Sequence, residues 1–323
     1  MTISVIHCFD HNYVLPAAVA FRTLLERART PGALYDLHVL GSGITEEDRA
    51  LLLKVVSRFP QARLSFRTPP ANPIPPDVLP KKSHYSTDLY YKLMVPDVYP
   101  ELDRAVLADV DVVWEDDVAR VWNAFPADGG VLVAGAWDPG YAACHREGLF
   151  PTGRPLIRKY ARKYTADELE KLRISAGLMV FDLAGLRRGG VTAKWIDFAR
   201  ANVRRAILPE QEPINLVTHG HVATLPHPFM ADAGSFGHPR WREVFCPTVM
   251  LHFASREKPW KYPGAPLAEK WFAALARAEL VEEWRRFYAD WSRPLADWSL
   301  ARRILDVTFG LGHRKYAVRA VRQ

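Results

Sequence analysis

The segment ADVDVVWEDD at residues 108–117 decides the fold and the kind of site that this chain forms. The apolar residues 105–108 lead into it and predict a short buried strand. Asp109 and Asp111 follow directly, with one residue between them. Ligands of open α/β sheets bind at the carboxyl ends of the strands, so we expect this acid pair to lie at a binding site. Carboxylate oxygens suit Mg²⁺ and Mn²⁺, which commonly share their coordination shell with a substrate diphosphate.

A second segment, far downstream, offers side chains for the same site. A β-like run at residues 248–251 leads into His252, and Lys258 follows shortly after. A neutral imidazole can complete a carboxylate metal shell, and a lysine can neutralise phosphate as a point charge. Together, the two strand ends indicate chemistry on a nucleotide or a nucleotide sugar.

The composition is that of a globular protein. The chain has 323 residues, of which 49% are hydrophobic and 24% charged, and this excludes disordered and fibrous classes. No stretch approaches the roughly 18 apolar residues of a membrane helix, and the first residues resemble no signal peptide, so we expect a cytoplasmic protein. Three cysteines without metal-type spacing predict neither a disulfide framework nor a zinc site. The net charge of +7 favours an anionic partner: nucleic acid, a membrane surface or a phosphorylated substrate.

Strand and helix patterns alternate in the N-terminal half. We predict strands at 3–9, 35–40 and 63–67, with a helix at 16–28 between the first two. Another helix begins near Thr45, because Thr45 and Asp48 have the spacing of a capping box. This alternation is typical of βαβ units and predicts a Rossmann-like, mainly parallel half. Further elements are predicted as a helix through 87–93 and strands at 131–137, 178–182, 222–225 and 248–253.

The pattern becomes helical from about residue 264. Five large apolar residues are spaced for one helix face: Trp284, Phe287, Trp291, Leu295 and Trp298. This face either packs on the preceding domain or attaches to an anionic membrane, helped by the basic residues of the tail. We therefore predict a main domain at 1–263 and a helical, basic and aromatic extension at 264–323.

Six segments of the chain resemble one enzyme family in their order and content. They are CFDHNY (8–13), STDLYYKL (86–93), ADVDVV (108–113), ISAGLMVFDL (174–183), EQEPIN (210–215) and HFASREKPW (252–260). They resemble the retaining glycosyltransferases of family 8, which include bacterial lipopolysaccharide galactosyl- and glucosyltransferases. The resemblance covers about residues 3–272. It implies an α/β fold of the GT-A type, a Rossmann-like mixed sheet flanked by helices, with the nucleotide-sugar-binding catalytic domain at 1–263 and a C-terminal helical appendage.

The resemblance also implies a ligand set. The metal ligands fall on Asp109, Asp111 and His252, with Mn²⁺ or Mg²⁺ as the ion and a UDP-hexose as the donor. Contacts to the nucleotide and its sugar fall on Cys8, Asp10, Asn12, Lys92, Val110, Ser175, Ala176, Gly177, Ser255 and Lys258. Ser175 stands where the family commonly has asparagine, and Ser255 stands where it has glycine. A hydroxyl has less reach and one donor fewer than an amide, which weakens the expected bond from Ser175 to the sugar.

The catalytic candidates implied by the resemblance are Asp138, Glu210 and Gln211. Gln211 is expected close to the anomeric carbon, Glu210 at the sugar hydroxyls, and Asp138 near the sugar and the acceptor. The family's Asp-Gln-Asp is Glu-Gln-Glu here and is followed by Pro213. The longer acids leave UDP-galactose and UDP-glucose both open as donors.

The predicted function is transfer of a hexose from a UDP-sugar to an acceptor hydroxyl, with retention at the anomeric carbon. The acceptor is expected to be a glycan or glycolipid of lipopolysaccharide or other cell-surface glycan synthesis, with a protein or a small sugar left open as alternatives. The protein itself is expected in the cytoplasm or peripherally on the inner face of the cell membrane. The alternative is a catalytically inactive UDP-sugar-binding protein of the same fold. No glycine-rich phosphate loop follows a strand, which disfavours pyrophosphorylases, P-loop ATPases and dinucleotide-dependent oxidoreductases. The basic residues lie mostly in the tail without a nucleic-acid-binding motif, so we expect no nucleic-acid partner.

Overall fold

The computed structural model describes residues 1–74, 87–126, 129–138, 162–226, 229–235, 247–254 and 258–288. The strands are β1 Thr2–Cys8, β2 Leu34–Leu40, β3 Ala62–Arg67, β4 Arg104–Ala108, β5 Val112–Trp114, β6 Val133–Trp137, β7 Ile174–Asp182, β8 Val222–Thr224, β9 Met230–Asp232 and β10 Met250–His252. The α-helices are α1 Val14–Glu26, α2 Glu46–Val56, α3 Val95–Val98, α4 Ala119–Asn123, α5 Ala166–Lys171, α6 Leu183–Arg188, α7 Val191–Asn202, α8 Gln211–Val217, α9 Ala268–Arg277 and α10 Val281–Tyr288. Short 3-10 helices span His11–Tyr13, Thr87–Met94 and Ala233–Ser235.

The central sheet has seven strands in the order β3-β2-β1-β4-β7-β6-β8. Strands β1 to β4 run parallel, which confirms the Rossmann-like half predicted from the alternating pattern. Strand β7 lies antiparallel between β4 and β6, so the whole sheet is mixed. A second sheet places β10 between β5 and β9. The architecture is the α/β, GT-A type that the resemblance implies.

Apolar residues cover both faces of the central sheet. Along β1, Ile3 and Val5 lie in one hydrophobic cluster with α1, whereas Ile6 lies in the other. This alternation is expected of a strand that is buried on both faces. The predicted capping box at the start of α2 is present, since Thr45 and Asp48 bond each other's backbone N–H groups.

The helix predicted through residues 87–93 is in fact the 3-10 helix Thr87–Met94, which continues into α3. The two helices after residue 264 pack on the domain: Trp271 and Leu280 are fully buried in the same cluster as α1. Trp291, Leu295, Trp298 and the basic tail lie outside the described residues, so membrane attachment and the boundary at 263 and 264 stay predictions. Among the residues that the structure describes, no helix is long and apolar enough to cross a membrane.

Candidate functional site

The candidate site lies where β4 ends, and two strand pairings bring its residues together. Asp109 follows β4, and its N–H donates to the carbonyl of Gly177 in β7 (3.0 Å). Strand β5 begins directly after Asp111 and pairs antiparallel with β10, which ends at His252. The next N–H after His252 donates to the Asp111 carbonyl (2.9 Å). The sheet register therefore sets His252 beside both aspartates, although it is far away in sequence.

Three side-chain atoms converge at this point. The Nε2 of His252 lies 3.2 Å from Oδ1 of Asp111 and 3.5 Å from Oδ2 of Asp109. Ligand atoms of all three residues lie within 4.8 Å of one another. Ligands at about 2.1 Å from an octahedral ion are roughly 3 Å apart along an edge, which is close to these separations. The carboxylate oxygens and the imidazole nitrogen therefore fit a divalent cation, with Asp109, Asp111 and His252 as its protein ligands.

Two lysines hold the other oxygen of each aspartate. The Nζ of Lys92 donates to Oδ1 of Asp109 (2.5 Å) and to the carbonyl of Ala176 (3.0 Å). The Nζ of Lys258 donates to Oδ2 of Asp111 (2.5 Å) and to the carbonyl of Phe253 (2.7 Å). Each aspartate thus keeps one oxygen directed at His252. Lys92 is only 3% exposed, so its ammonium lies inside the site and not in solvent.

The electrostatics of the site keep the Asp111 carboxyl ionised. Burial alone would raise the pKa of Asp111, but Lys258 and His252 lower it well below its usual range. Burial would lower the pKa of His252, but the carboxylates of Asp111 and Asp109 raise it above its usual value. The pKa of Lys92 is likewise raised by Asp109 and Glu210 against the effect of burial. The two aspartates at the centre are therefore balanced by Lys92, Lys258 and His252, whose contacts hold the carboxylate oxygens in place.

Gly177 allows the close approach of His252. A Cβ atom built at this glycine would lie 2.7 Å from Cε1 and 2.8 Å from Nδ1 of His252. Neighbouring Ser175 turns its hydroxyl inward, where it accepts from the Gly177 N–H (3.2 Å). Ala176 is buried, and its backbone bonds Lys92 and Gln211. These small residues let the start of β7 lie directly against the candidate metal ligands.

Gln211 and Asp138 form the other half of the site. Gln211 begins α8, and its Oε1 accepts from the N–H of Ala176 (3.1 Å). Its Nε2 donates to Oδ2 of Asp138, directly after β6 (3.0 Å). Asn215, one turn later, bonds both backbone groups of Ile174 at the start of β7 and the carbonyl of Gln211. Both ends of the Gln211 amide are engaged, so its orientation is fixed.

The two glutamates beside Gln211 play different parts. Oε1 of Glu210 lies 3.5 Å from Nζ of Lys92. Burial raises the pKa of Glu210 above its usual value, although Lys92 acts in the opposite direction. Glu212 faces away from this pair and accepts from the N–H groups of Ile207 (2.7 Å) and Leu208 (3.0 Å) and from the hydroxyl of Tyr164. Glu212 therefore stabilises the chain before α8.

The turn after β1 carries the residues expected to contact the nucleotide. Asp10 caps the 3-10 helix His11–Tyr13, and its Oδ1 accepts from the N–H of exposed Asn12 (3.0 Å). The Nδ1 of His11 lies 2.7 Å from Oδ2 of Asp48 at the start of α2, and this contact ties the turn to α2. Cys8 ends β1 as a half-buried thiol whose pKa is raised to about 12 by burial.

Two of the expected donor contacts stay predictions. Val110, between the two aspartates in sequence, is 3% exposed and lies in the core. Ser255 lies outside the described residues. One residue that the sequence did not single out is His7, which is fully buried with Nδ1 2.8 Å from the carbonyl of Ala108. Burial lowers its pKa to about 4, so the neutral ring donates from Nδ1–H to that carbonyl, next to Asp109. From the sequence alone, a histidine inside an apolar strand that bonds a backbone carbonyl looks the same as one that only packs in the core.

The central sheet is mixed, an acid pair follows β4, and β10 brings a histidine and a lysine to that pair. This combination defines a glycosyltransferase of the GT-A type. The chain belongs to the family described as Glycosyl transferase family 8, whose sequence profile matches residues 4–264.

Known proteins resemble the chain in sequence, and solved structures resemble it in fold. The chain is 26% identical to the probable galacturonosyltransferase-like 6 of Arabidopsis thaliana over 266 residues, which cover 78% of this chain and 72% of that protein. It is 22% identical to general stress protein A of Bacillus subtilis (strain 168) over 272 residues, 79% of this chain and 86% of that protein. The fold is similar to the galactosyltransferase LgtC in complex with donor and acceptor sugar analogs, with a TM-score of 0.65 at 20% identity, over 88% of this chain and 100% of that one. It is also similar to the bifunctional glycosyltransferase WbbM, with a TM-score of 0.68 at 19% identity, over 88% of this chain and 51% of that one.

Proposed function

We propose that the protein is a metal-dependent, retaining hexosyltransferase that moves galactose or glucose from a UDP-sugar to an acceptor hydroxyl. The observation that carries this proposal is the convergence of Asp109, Asp111 and His252 beside the bonded pair of Gln211 and Asp138. One half of the site is suited to a diphosphate and a cation, and the other half to a sugar.

The phosphate half would stabilise the leaving group. A Mn²⁺ or Mg²⁺ ion held by the three ligands would act as a Lewis acid on the diphosphate. Lys258 lies against Asp111 at the same position, where its ammonium can neutralise part of the charge that develops on UDP. The turn of Asp10 and Asn12 supplies an acceptor and an amide for the base and the ribose.

The sugar half supports attack from the face that the leaving group departs from. Retention by double displacement needs an enzyme nucleophile below the ring. Gln211 is a poor nucleophile, and both ends of its amide are already bonded. In the mechanism that we propose, the anomeric C–O bond to UDP breaks, the acceptor oxygen bonds to the same face, and its proton passes to the departing phosphate. Trapping a covalent glycosyl-enzyme on Glu210 or Asp138 would contradict this mechanism.

The charges on the sugar side favour a neutral hexose. The carboxylate of Asp138 lies there, bonded to Gln211, and it would repel the carboxylate of a hexuronate donor. The Arabidopsis relative is named as a probable galacturonosyltransferase-like protein, and LgtC is named as a galactosyltransferase. Turnover of UDP-galacturonate, compared with turnover of UDP-galactose and UDP-glucose, therefore tests whether the donor is a neutral hexose.

The acceptor that we propose is a glycan or glycolipid of lipopolysaccharide or other cell-surface glycan synthesis. A second candidate function is a UDP-sugar-binding protein without turnover. It is favoured by one observation: the Ser175 hydroxyl, at the position of the family's asparagine, is bonded to the N–H of Gly177 in its own strand.

UDP release from a panel of UDP-sugars, measured with and without Mn²⁺, tests the proposed function. We expect slow, Mn²⁺-dependent hydrolysis of UDP-galactose or UDP-glucose, and its loss in Asp111→Asn. Asp116→Asn is the matched control, because Asp116 belongs to the same acidic segment but pairs at the surface with Arg120. UDP binding without release of UDP from any sugar would establish the binding protein instead, and the absence of both would overturn the proposal.

A further inference from the structure

Helix α10 contacts the loop that carries Lys258. The indole Nε1–H of Trp284 donates to the carbonyl of Trp260 (2.9 Å), which lies two residues after Lys258. Trp260 is 2% exposed, and its ring packs on Trp271 of α9 with 5.6 Å between the ring centroids. The Trp284 ring packs edge-on against Phe272, also of α9 (5.2 Å). The backbone at Trp260 is therefore fixed by α9 and α10 together.

The same helix contacts the turn that carries Asp10 and Asn12. The ring of Phe287 lies 6.0 Å from the imidazole of His11. On the other side of the turn, Tyr13 packs edge-on against Trp260 (5.8 Å). Because His11 also bonds Asp48, the turn is held between α2 and α10. A continuous aromatic contact thus joins α10, the Lys258 loop and the nucleotide turn.

Surface ion pairs add little to this contact. Arg58 pairs with Glu279 at 2.6 Å and Lys54 with Glu283 at 3.7 Å, and all four side chains are partly or largely exposed. Exposed pairs of this kind contribute little free energy. The indole hydrogen bond, the ring contacts and the burial of Tyr288 in the core cluster therefore account for most of the docking of α10.

We propose that α10 is a positioning element of the donor site, which holds the nucleotide turn and the Lys258 loop at the separation that one UDP-sugar requires. This inference rests on the proposed function for the identity of the ligand. It gives the first part of the extension after residue 264 a role in donor binding, beyond packing. Trp284 and Phe287 are its positioning residues, and neither needs to touch the donor.

Positioning has a thermodynamic consequence that plain packing lacks. If docking of α10 strengthens the binding of UDP, then UDP must stabilise the docked helix by the same factor. The loss of one partly buried hydrogen bond corresponds to about a three- to tenfold change in an equilibrium constant. We expect a change of this size in UDP affinity when the contact of Trp284 with Trp260 is removed.

The test combines nucleotide titration with hydrogen exchange on the 323-residue protein. Trp284→Phe keeps an aromatic ring and removes the N–H donor, and Phe287→Ala removes the ring from His11. Arg285→Ala is the matched control on the same helix, because Arg285 is 63% exposed and pairs only with Glu282 among the described residues. Calorimetry gives the Kd for UDP in the presence of Mn²⁺, and steady-state rates give KM and kcat for the donor.

We expect the Kd for UDP and the KM for the donor to rise about three- to tenfold in Trp284→Phe, with kcat changed less than twofold. A smaller rise is expected in Phe287→Ala and none in Arg285→Ala. In the wild type, UDP with Mn²⁺ should slow amide exchange at residues 281–288. The inference is overturned if the wild type binds UDP without this protection and both variants keep the wild-type Kd. That result leaves the proposed function standing. A wild type that binds no UDP overturns the proposed function.

Discussion

Gly177→Ala should displace His252, a proposed metal ligand, without removing any ligand atom. The added Cβ would lie 2.7 Å from Cε1 and 2.8 Å from Nδ1 of His252, and 3.2 Å from the sulfur of Met230. Ordinary contacts between carbon atoms are about 3.5–4.0 Å, so the imidazole must move by roughly 0.8 Å or more. Metal–ligand distances tolerate only about 0.2 Å. His252 therefore cannot keep its place at the proposed metal site while residue 177 carries a methyl group.

The expected loss has two parts. Overpacking a buried position destabilises a protein by about 1–3 kcal/mol. Misplacing a ligand through its supporting shell weakens metal binding by about 10- to 100-fold. We therefore expect Gly177→Ala to fold, with a lower free energy of unfolding, and to bind Mn²⁺ at least tenfold more weakly than the wild type when UDP is present.

Gly135→Ala provides the matched control. Gly135 lies in β6 opposite Met179 of β7, and a Cβ there would lie 2.6 Å from Cδ1 and 2.7 Å from Cβ of Ile174. It should cause a similar loss of stability in urea titrations, with the Mn²⁺ affinity unchanged. Equal Mn²⁺ affinities for wild type and a folded Gly177→Ala protein would refute the packing of His252 against β7.

Two further predictions concern the residues that support the site. His7→Phe leaves the Ala108 carbonyl without its donor and should lower the free energy of unfolding by about 1–3 kcal/mol in urea titrations at pH 7, with partial recovery in His7→Asn. Burial lowers the pKa of His7 from 6.5 to about 4, so the unfolded chain binds the proton first as the pH falls, and the contribution of this residue is complete above pH 6.5 and lost between 6.5 and 4. It amounts to at most about 3 kcal/mol, and a His7→Phe protein with the same pH profile as the wild type would contradict it. Glu212→Ala leaves two backbone N–H groups and the Tyr164 hydroxyl without their acceptor and should destabilise the fold by about 3 kcal/mol, whereas a thermal midpoint equal to that of the wild type would exclude this role.

The sequence predicts the parallel half of the sheet well because its signals are local. Alternating apolar runs identify β1, β2 and β3, and the capping box at Thr45 marks the start of α2 within a residue. The acid pair is found because it follows an apolar run directly. The resemblance then connects Asp109 and Asp111 to His252, and the structure brings the three side chains together.

Features that depend on distant contacts were not predictable from local patterns. The direction of β7 is one example, since a buried strand has the same apolar pattern whether its neighbours run parallel or antiparallel. Lys92 is another, because its burial is compensated by Asp109 and Glu210, which come from other elements. The same holds for the 3-10 geometry of Thr87–Met94, whose residues have an amphipathic pattern compatible with an α-helix.

The contact of α10 with the donor site shows the same limit. The spacing of Trp284 and Phe287 indicates a helix with one apolar face, but a period does not identify the surface that this face covers. The structure identifies this surface through two contacts. Trp284 Nε1–H donates to the carbonyl of Trp260, and Phe287 packs on His11. Both contacts join residues of the extension to the loops after β1 and β10.

The most direct test of the account is a Mn²⁺ titration followed by electron paramagnetic resonance, with and without UDP. The account predicts one bound Mn²⁺ per chain, bound much more tightly when UDP is present, and loss of this binding in Asp111→Asn but not in Asp116→Asn. Wild-type protein that binds no Mn²⁺ with UDP present, or an Asp111→Asn variant that binds it as the wild type does, would contradict the assignment of Asp109, Asp111 and His252 as a metal site.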